Sequence, residues 1–193
     1  MGNCSNNNDG TPARSRLYER QLSTEGVSVS VQQRVTSDQQ LVRLLQIGIV
    51  LEEVVEARAH HHHRSLSPED RQDLDEAIEE LLEHAAEESA EHREQLEGLI
   101  DDLDAESVPY DEIEALVEAT YNRTRPEDFD GILYDQLHGE ETAYKFYDDL
   151  IRAIEGSDTE FAIDRDRLLR VLREIRAEEE EGVEEVTTLM EER

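Results

Sequence analysis

Ionisable side chains stand in the middle of apolar helical stripes at four places in the sequence. At helical spacing, apolar residues flank Glu52 in one segment, Glu88 and His92 in the next, and then Glu140 and Glu179. An unpaired charge among apolar side chains costs several kcal/mol. Four such positions at similar depth therefore indicate a shared ligand, and carboxylates and imidazoles on facing helices are the groups with which a helical bundle binds metal ions.

Two stretches, AEESAEHREQL at 86–96 and AEEEEGVEEV at 177–186, share a common register. In a bundle that binds metal, a Glu-x-x-His pair lets one helix supply a carboxylate and an imidazole together. The first stretch has His92 but Ser89 at the glutamate position, and the second has Glu179 but Gly182 at the histidine position. Each stretch holds half of the pair, and the two losses are complementary.

The first and third segments also repeat each other. In both, a leucine is followed four positions later by a second aliphatic residue and three positions after that by two glutamates, which are Glu52-Glu53 and Glu140-Glu141. The separation from Glu52 to His92 agrees within two residues with that from Glu140 to Gly182. This repeat predicts two helical hairpins related by a pseudo-twofold axis, which would bring the four positions together in the core.

Four long helices and one short helix are predicted to carry these residues. Ser37-x-x-Gln40 is a capping box that starts the first helix, and Ser67 before Pro68 starts the second. The predicted helices cover 37–65, 68–103, 109–121, 126–156 and 160–193. No alternating apolar run in 37–193 is long enough for a sheet. The sequence thus predicts an all-α up-down four-helix bundle with an extra short helix before the third long helix.

The first 36 residues differ in composition from the rest. They are rich in Asn, Ser, Gly and Gln and show no helical stripe, which predicts a flexible polar tail. Within it, VSVSV at 27–31 alternates and is compatible with a short strand. The domain division expected from the sequence is therefore 1–36 for the tail and 37–193 for the bundle.

The chain is strongly acidic. It has 50 Asp and Glu against 19 Lys and Arg, a formal net charge of -31, and Lys145 is the one lysine among the basic residues. Such a surface repels nucleic-acid phosphates and anionic membranes, so neither is expected as a partner. Heavy Asp and Glu with almost no lysine resembles proteins of salt-loving archaea, whose cytoplasm screens this repulsion.

The remaining compositional signals concern redox state and compartment. Cys4 is the sole cysteine, so neither a disulfide framework nor a cysteine-based metal site is expected. No apolar run approaches the length of a membrane span, and MGNCSNNNDG lacks the apolar region of a signal peptide. The expected location is the cytoplasm.

Parts of the sequence resemble a known family. LHGEETAYKFYDDLIRAIE at 137–155 resembles the third bundle helix of the rubrerythrin branch of the ferritin-like superfamily, and AEESAEHREQL resembles its second. The resemblance covers most of 37–193. It implies a bundle that binds two iron or manganese ions through one glutamate from each of two helices and a Glu-x-x-His pair from each of the others.

Carried over by position, the resemblance implies a role for each residue. Glu52 and Glu140 would be the single carboxylates, and His92 and Glu179 the surviving members of the two pairs. Carboxylate oxygens with imidazole suit iron or manganese, and dioxygen or peroxide could react at open positions. The implied function is that of a ferritin-like or rubrerythrin-like metal-binding protein that oxidises iron or reacts with peroxide or oxygen.

The departures from the family pattern point to substitutes. Ser89 and Gly182 remove two of the six expected ligands. Glu88 lies four residues before His92 and shares a helix face with it, so it could replace the missing glutamate. Glu56 could likewise supplement Glu52. The expected metal ligands are therefore Glu52, Glu56, Glu88, His92, Glu140 and Glu179.

Several alternatives stay open at this point. The bundle could be a degenerate, non-catalytic relative that serves as a dimerisation or partner-binding scaffold, and a homodimer is compatible with either function. His60 and His63, in the HHHH run at 60–63, could bind a transition metal at the surface or complement a helix C-terminus. Tyr144 and Tyr147 are core residues or electron relays beside iron. The EEEE run at 178–181 is interpreted as a solvated face, with Glu179 as the inward exception.

Overall fold

The structure is a computed structural model that describes residues 34–65, 76–103, 105–107, 109 and 129–192. These residues form four long α-helices, and no strand occurs among them, which confirms the predicted all-α four-helix bundle. The helices are α1 (Asp38–Ser65), α2 (Glu76–Asp101), α3 (Phe129–Glu155) and α4 (Arg165–Glu191). No helix in this part of the chain is long and apolar enough to cross a membrane.

Side-chain caps fix where α1 and α4 begin. The Ser37 hydroxyl accepts a hydrogen bond from the Gln40 amide at 3.2 Å, as the capping box predicts. The Gln40 side chain differs from that prediction, because its Oε1 accepts from the amide and hydroxyl of Thr36 instead of reaching back to Ser37. Asp164 caps α4 by accepting from the Arg167 amide at 2.7 Å. The last helix therefore begins at Arg165, a few residues later than predicted.

The helices form two antiparallel hairpins, α1 with α2 and α3 with α4. Gln39 at the start of α1 donates to the Glu106 carbonyl just after α2, and Arg176 of α4 pairs with Asp148 of α3. Helix α3 also runs antiparallel to α1. Tyr147 contacts Glu52, whereas Asp135, which is earlier on α3, pairs with Arg58, which is later on α1. Helices α2 and α3 thus point the same way, so the end of α2 and the start of α3 lie at opposite ends of the bundle, and the four helices do not follow a simple up-down order.

The apolar core is divided into two clusters along the bundle axis. The larger cluster lies towards the end of the bundle where α1 starts and includes Leu45, Leu96 and Leu168. The smaller cluster lies towards the other end and includes Ile78, Leu133 and Val186. The ionisable residues picked out from the sequence occupy the layer between these clusters, so all four helices deliver them to similar depth.

The described chain begins before the predicted bundle boundary at Ser37. Val35 is fully buried in the larger cluster, and its carbonyl accepts a hydrogen bond from the Ser157 hydroxyl at 2.5 Å. The predictions for the tail at 1–33 including VSVSV, the Ser67-Pro68 start, the start at Pro126 and the short helix that follows Pro109 lie outside the described residues.

The charge of -31 makes the stability of this bundle depend on salt. We expect the midpoint of thermal unfolding to rise by on the order of 10 °C between 0.1 and 1 M KCl, or about 3 kcal/mol for a domain of this size, because screening shortens from about 10 Å to about 3 Å. Circular dichroism in the far ultraviolet, which reports helix content, measures this midpoint by following the unfolding of the whole bundle. Sucrose at matched osmolality is the control, and a midpoint that does not rise in KCl contradicts the expectation.

Candidate metal centre

Four ionisable side chains from four helices converge in the layer between the two apolar clusters. Glu52 of α1, His92 of α2, Glu140 of α3 and Glu179 of α4 are each between 0% and 5% exposed. Helix periodicity places each of them on the inward face, and antiparallel packing within the hairpins brings them to the same height. The structure therefore brings together the four positions that the repeat in the sequence predicts.

His92 stands between two pairs of carboxylates. On the inner side, its Nδ1 lies 3.1 Å from Glu179 Oε1 and 3.6 Å from Glu52 Oε2. On the outer side, its Nε2 lies 2.8 Å from Glu178 Oε2. Ligand atoms of Glu52, His92 and Glu179 all lie within 4.8 Å of one another, as do those of Glu88, His92 and Glu178. Each group has the spacing of residues that could share one metal ion.

Two atoms of the inner group have no hydrogen-bond partner among the described residues. They are Glu52 Oε2 and His92 Nδ1, which face each other and are shielded from solvent. A buried polar atom without a partner costs about 1–3 kcal/mol. A cation bound between these atoms would satisfy both of them, so the donor set fits a metal ion.

Tyr147 holds the other oxygen of Glu52. Its hydroxyl donates to Glu52 Oε1 at 2.5 Å, and its side chain is fully buried. Gly48 makes room for this arrangement, because a Cβ there would lie 3.3 Å from the Tyr147 hydroxyl and 3.2 Å from Leu96 Cδ1. Tyr147 therefore orients the carboxylate so that Oε2 faces His92.

The Glu140 carboxylate lies close to α4 at Gly182. Gln136 donates to Glu140 Oε1 at 2.6 Å. A Cβ at Gly182 would lie only 2.6 Å from Glu140 Oε2. The glycine that replaces the expected histidine thus leaves the space that the Glu140 carboxylate occupies.

Burial and mutual repulsion change the protonation of the carboxyl groups. Burial, together with the charge of Glu52, raises the pKa of Glu140 to about 7. Burial and the same charge raise the pKa of Glu179 well above its usual value. Burial lowers the pKa of His92, but the Glu179 and Glu52 carboxylates outweigh this effect and raise it to about 11. Without a metal ion, His92 is therefore the cation of the centre.

The outer group lies at the edge of the bundle. Glu178, whose side chain is 44% exposed, reaches His92 from this edge. Glu179 is the buried residue of the EEEE run, as the sequence predicts. Glu88 is partly buried, and burial raises the pKa of its carboxyl. His84 lies 4.0 Å from Glu88 on the solvent side.

Glu56 does not join either group of ligand atoms. Its Oε2 lies 2.5 Å from Arg93 Nη2, and its Oε1 lies 3.9 Å from His60 Nε2. The Arg93 guanidinium also approaches Glu53 at 3.7 Å. Ser89, at the position where the family pattern has glutamate, is buried. Of the six expected ligands, the structure groups Glu52 and Glu179 with His92 on one side and Glu88 with His92 on the other, and Glu140 lies beside the first group.

Comparison with known proteins adds no relationship to these observations. No protein-family model matches the chain, and neither a curated protein nor a solved structure similar to it was found. The account of the centre therefore depends on the geometry of its own residues.

Glu178 is expected to orient His92 for metal binding. A histidine ligand usually donates its second ring N–H to a carboxylate, and loss of that partner weakens metal binding by about 10–100-fold. We expect Glu178→Ala to raise the dissociation constant for Mn²⁺ within this range, as measured by calorimetric titration. Glu180→Ala removes an exposed carboxylate from the same run and serves as the control. Equal affinities of the two variants would show that Glu178 has no such role.

Proposed function

We propose that this protein is a ferritin-like, rubrerythrin-like metal-binding bundle that binds iron or manganese between Glu52, His92 and Glu179. The observation that carries the proposal is the buried inner group, in which a histidine nitrogen and a carboxylate oxygen face each other without hydrogen-bond partners. Oxygen ligands combined with one imidazole favour iron or manganese over softer metals.

Charge balance supports a cation at this position. Glu52, Glu140 and Glu179 bring three carboxyl groups into the core, and His92 is the one basic side chain among the buried polar residues of the described chain. Buried carboxylates are retained in proteins where they are paired or coordinate a metal. A divalent ion bound to Glu52 and Glu179, with neutral His92 as third ligand, would neutralise the two carboxylates that bind it.

The course of the chain also supports the ferritin-like assignment. Ferritin-like bundles differ from simple up-down bundles by one long crossover connection, and here α2 and α3 point the same way, with the end of one and the start of the other at opposite ends of the bundle. Iron held here would supply one-electron redox chemistry, so the proposed activity is oxidation of ferrous iron by dioxygen or peroxide, with two ferrous ions oxidised for each peroxide reduced to water. The chain's own residues would bind the ion and keep most water out. Tyr147 and Gln136 would orient carboxylates of the centre.

Metal content tests this proposal most simply. The protein, expressed with iron and manganese supplied and purified in high salt, is analysed by mass spectrometry beside Glu140→Ala/Glu179→Ala. A second variant with His60, His61, His62 and His63 changed to alanine controls for metal bound to the histidine run. We expect iron or manganese in the wild type and in the histidine variant, and little in the double variant.

The opposite result would favour the non-catalytic scaffold. Equal metal in the wild type and Glu140→Ala/Glu179→Ala would remove the core from consideration as a site. One observation speaks for the scaffold already, because Tyr147 and Gln136 each satisfy one carboxylate oxygen without any metal. A metal-free bundle that forms a homodimer in solution would support this second function.

A further inference from the structure

The two groups of candidate ligand atoms share one residue, His92. The inner group uses His92 Nδ1 with Glu52 and Glu179, whereas the outer group uses His92 Nε2 with Glu178 and Glu88. A neutral imidazole offers one nitrogen as a ligand, because the other carries the proton. The two groups are therefore alternatives, and filling one excludes the other.

The inner group is the better of the two alternatives. Its three residues are almost completely buried, whereas Glu178 and Glu88 of the outer group are partly exposed. The inner group contains two ligand atoms without hydrogen-bond partners, Glu52 Oε2 and His92 Nδ1, whereas His92 Nε2 already has Glu178 at 2.8 Å. With the ion on Nδ1, the N–H at Nε2 donates to Glu178, so both ring nitrogens of His92 have a partner.

Gly182 brings no imidazole from α4 for a second ion. In the repeat, Gly182 stands where the second hairpin would supply an imidazole, and the Glu140 carboxylate fills that space. Gln136 holds this carboxylate by donating to its Oε1 at 2.6 Å. Ser89, at the matching position of α2, brings no carboxylate either.

We propose that the centre binds a single metal ion per chain, ligated by Glu52, His92 Nδ1 and Glu179. Gly182 limits the centre to one ion because it leaves space on α4 that the Glu140 carboxylate fills. This inference rests on the proposed metal binding and adds the number of ions and the role of the glycine. Glu140 is a positioning residue in this arrangement, because its carboxylate, held by Gln136, fills the space at Gly182, one helical turn after Glu179 on α4.

Titration of the metal-free protein with Mn²⁺ tests the number of ions. Free Mn²⁺ is followed by its electron paramagnetic resonance signal, in high salt and with the histidine-run variant to remove surface binding. One tightly bound ion per chain is the expected result. Two tight ions per chain would overturn the single-ion proposal while leaving metal binding intact, whereas no tight ion would overturn the proposed function itself and this inference with it.

Two pairs of variants test where the ion lies and what Gly182 does. Glu52→Gln is expected to raise the dissociation constant at least about 100-fold and Glu88→Gln to leave one tight ion; the reverse pattern would place the ion in the outer group and contradict the proposal. Gly182→Ala displaces Glu140 and is expected to weaken binding about 10-fold or more. Gly98→Ala is its control, since a Cβ there meets nothing within 4 Å. Equal affinity of these two alanine variants would refute the role given to Gly182.

Discussion

His92→Ala is expected to abolish metal binding and to lower the free energy of unfolding of the metal-free protein by about 3–5 kcal/mol, the usual cost of removing one partner of a buried ion pair. The reason is that Glu52 and Glu179 would keep their burial and lose the one cation beside them. Urea denaturation at neutral pH in high salt, without added metal, measures the change. Mn²⁺ titration of the same variant measures the loss of binding.

An exposed histidine on the same helix provides the control. His84 has a side chain that is 62% exposed and lies at 4.0 Å from Glu88, so His84→Ala is expected to change stability by less than about 0.5 kcal/mol. If His92→Ala were as stable as His84→Ala and still bound metal, His92 would be neither the cation of the centre nor its ligand.

The metal-free protein is expected to be more stable at pH 5 than at pH 8. A carboxyl group whose pKa rises on folding binds more protons in the folded state, so the rise for Glu140 from 4.5 to about 7 removes stability as pH increases through that interval. At about 1.4 kcal/mol per pH unit, this amounts to about 3 kcal/mol. His92 acts in the same direction, because its contribution is complete below its ordinary 6.5 and is lost as pH rises towards about 11.

Urea denaturation between pH 5 and pH 8 in the presence of a chelator measures this slope. Glu140→Gln is expected to flatten the dependence of stability on pH between pH 5 and pH 7, because the group that takes up the proton is gone. Glu141→Gln, which changes an exposed neighbour on α3, is expected to keep the slope. A wild-type protein whose stability increases with pH over this interval would contradict the protonation states assigned to the centre.

Helical periodicity made most of the fold and part of the centre predictable. Charged residues at core positions are rare because they are costly, so Glu52, Glu140 and Glu179 stand out in the sequence. The caps also carry local information, since the Ser37 hydroxyl needs only the amides of the turn that follows it. The repeat between Glu52-Glu53 and Glu140-Glu141 was informative for the same reason: equal spacing in two antiparallel hairpins puts equal positions at equal height.

Glu178 could not be recognised in this way. Adjacent residues of a helix project about 100° apart, so Glu179 on the inward face implies that Glu178 points towards the edge. It does lie at the edge, but a glutamate side chain is long enough to reach back to His92 Nε2. Because an imidazole ring has nitrogens on two sides, it can contact both residues, and only the tertiary arrangement shows that it does.

Gly182 has a different meaning in the structure and in the sequence. The resemblance noted in the sequence would make Gly182 a lost ligand, and nothing in the sequence says what fills the space. The structure shows the Glu140 carboxylate in that space, with Gln136 one helical turn earlier on α3 as its donor. A close approach between two helices depends on how they pack, which spacing along one chain does not determine.

The central claim is that ionisable groups from separate helices bind one cation inside the bundle. Anomalous diffraction from a crystal of the full-length protein loaded with Mn²⁺ or Fe²⁺, collected at the absorption edge of the metal, tests it directly. The account predicts a single strong peak within bonding distance of Glu52, His92 Nδ1 and Glu179. A core without a peak, with metal confined to the histidine run at 60–63 or to the acidic surface, would contradict it.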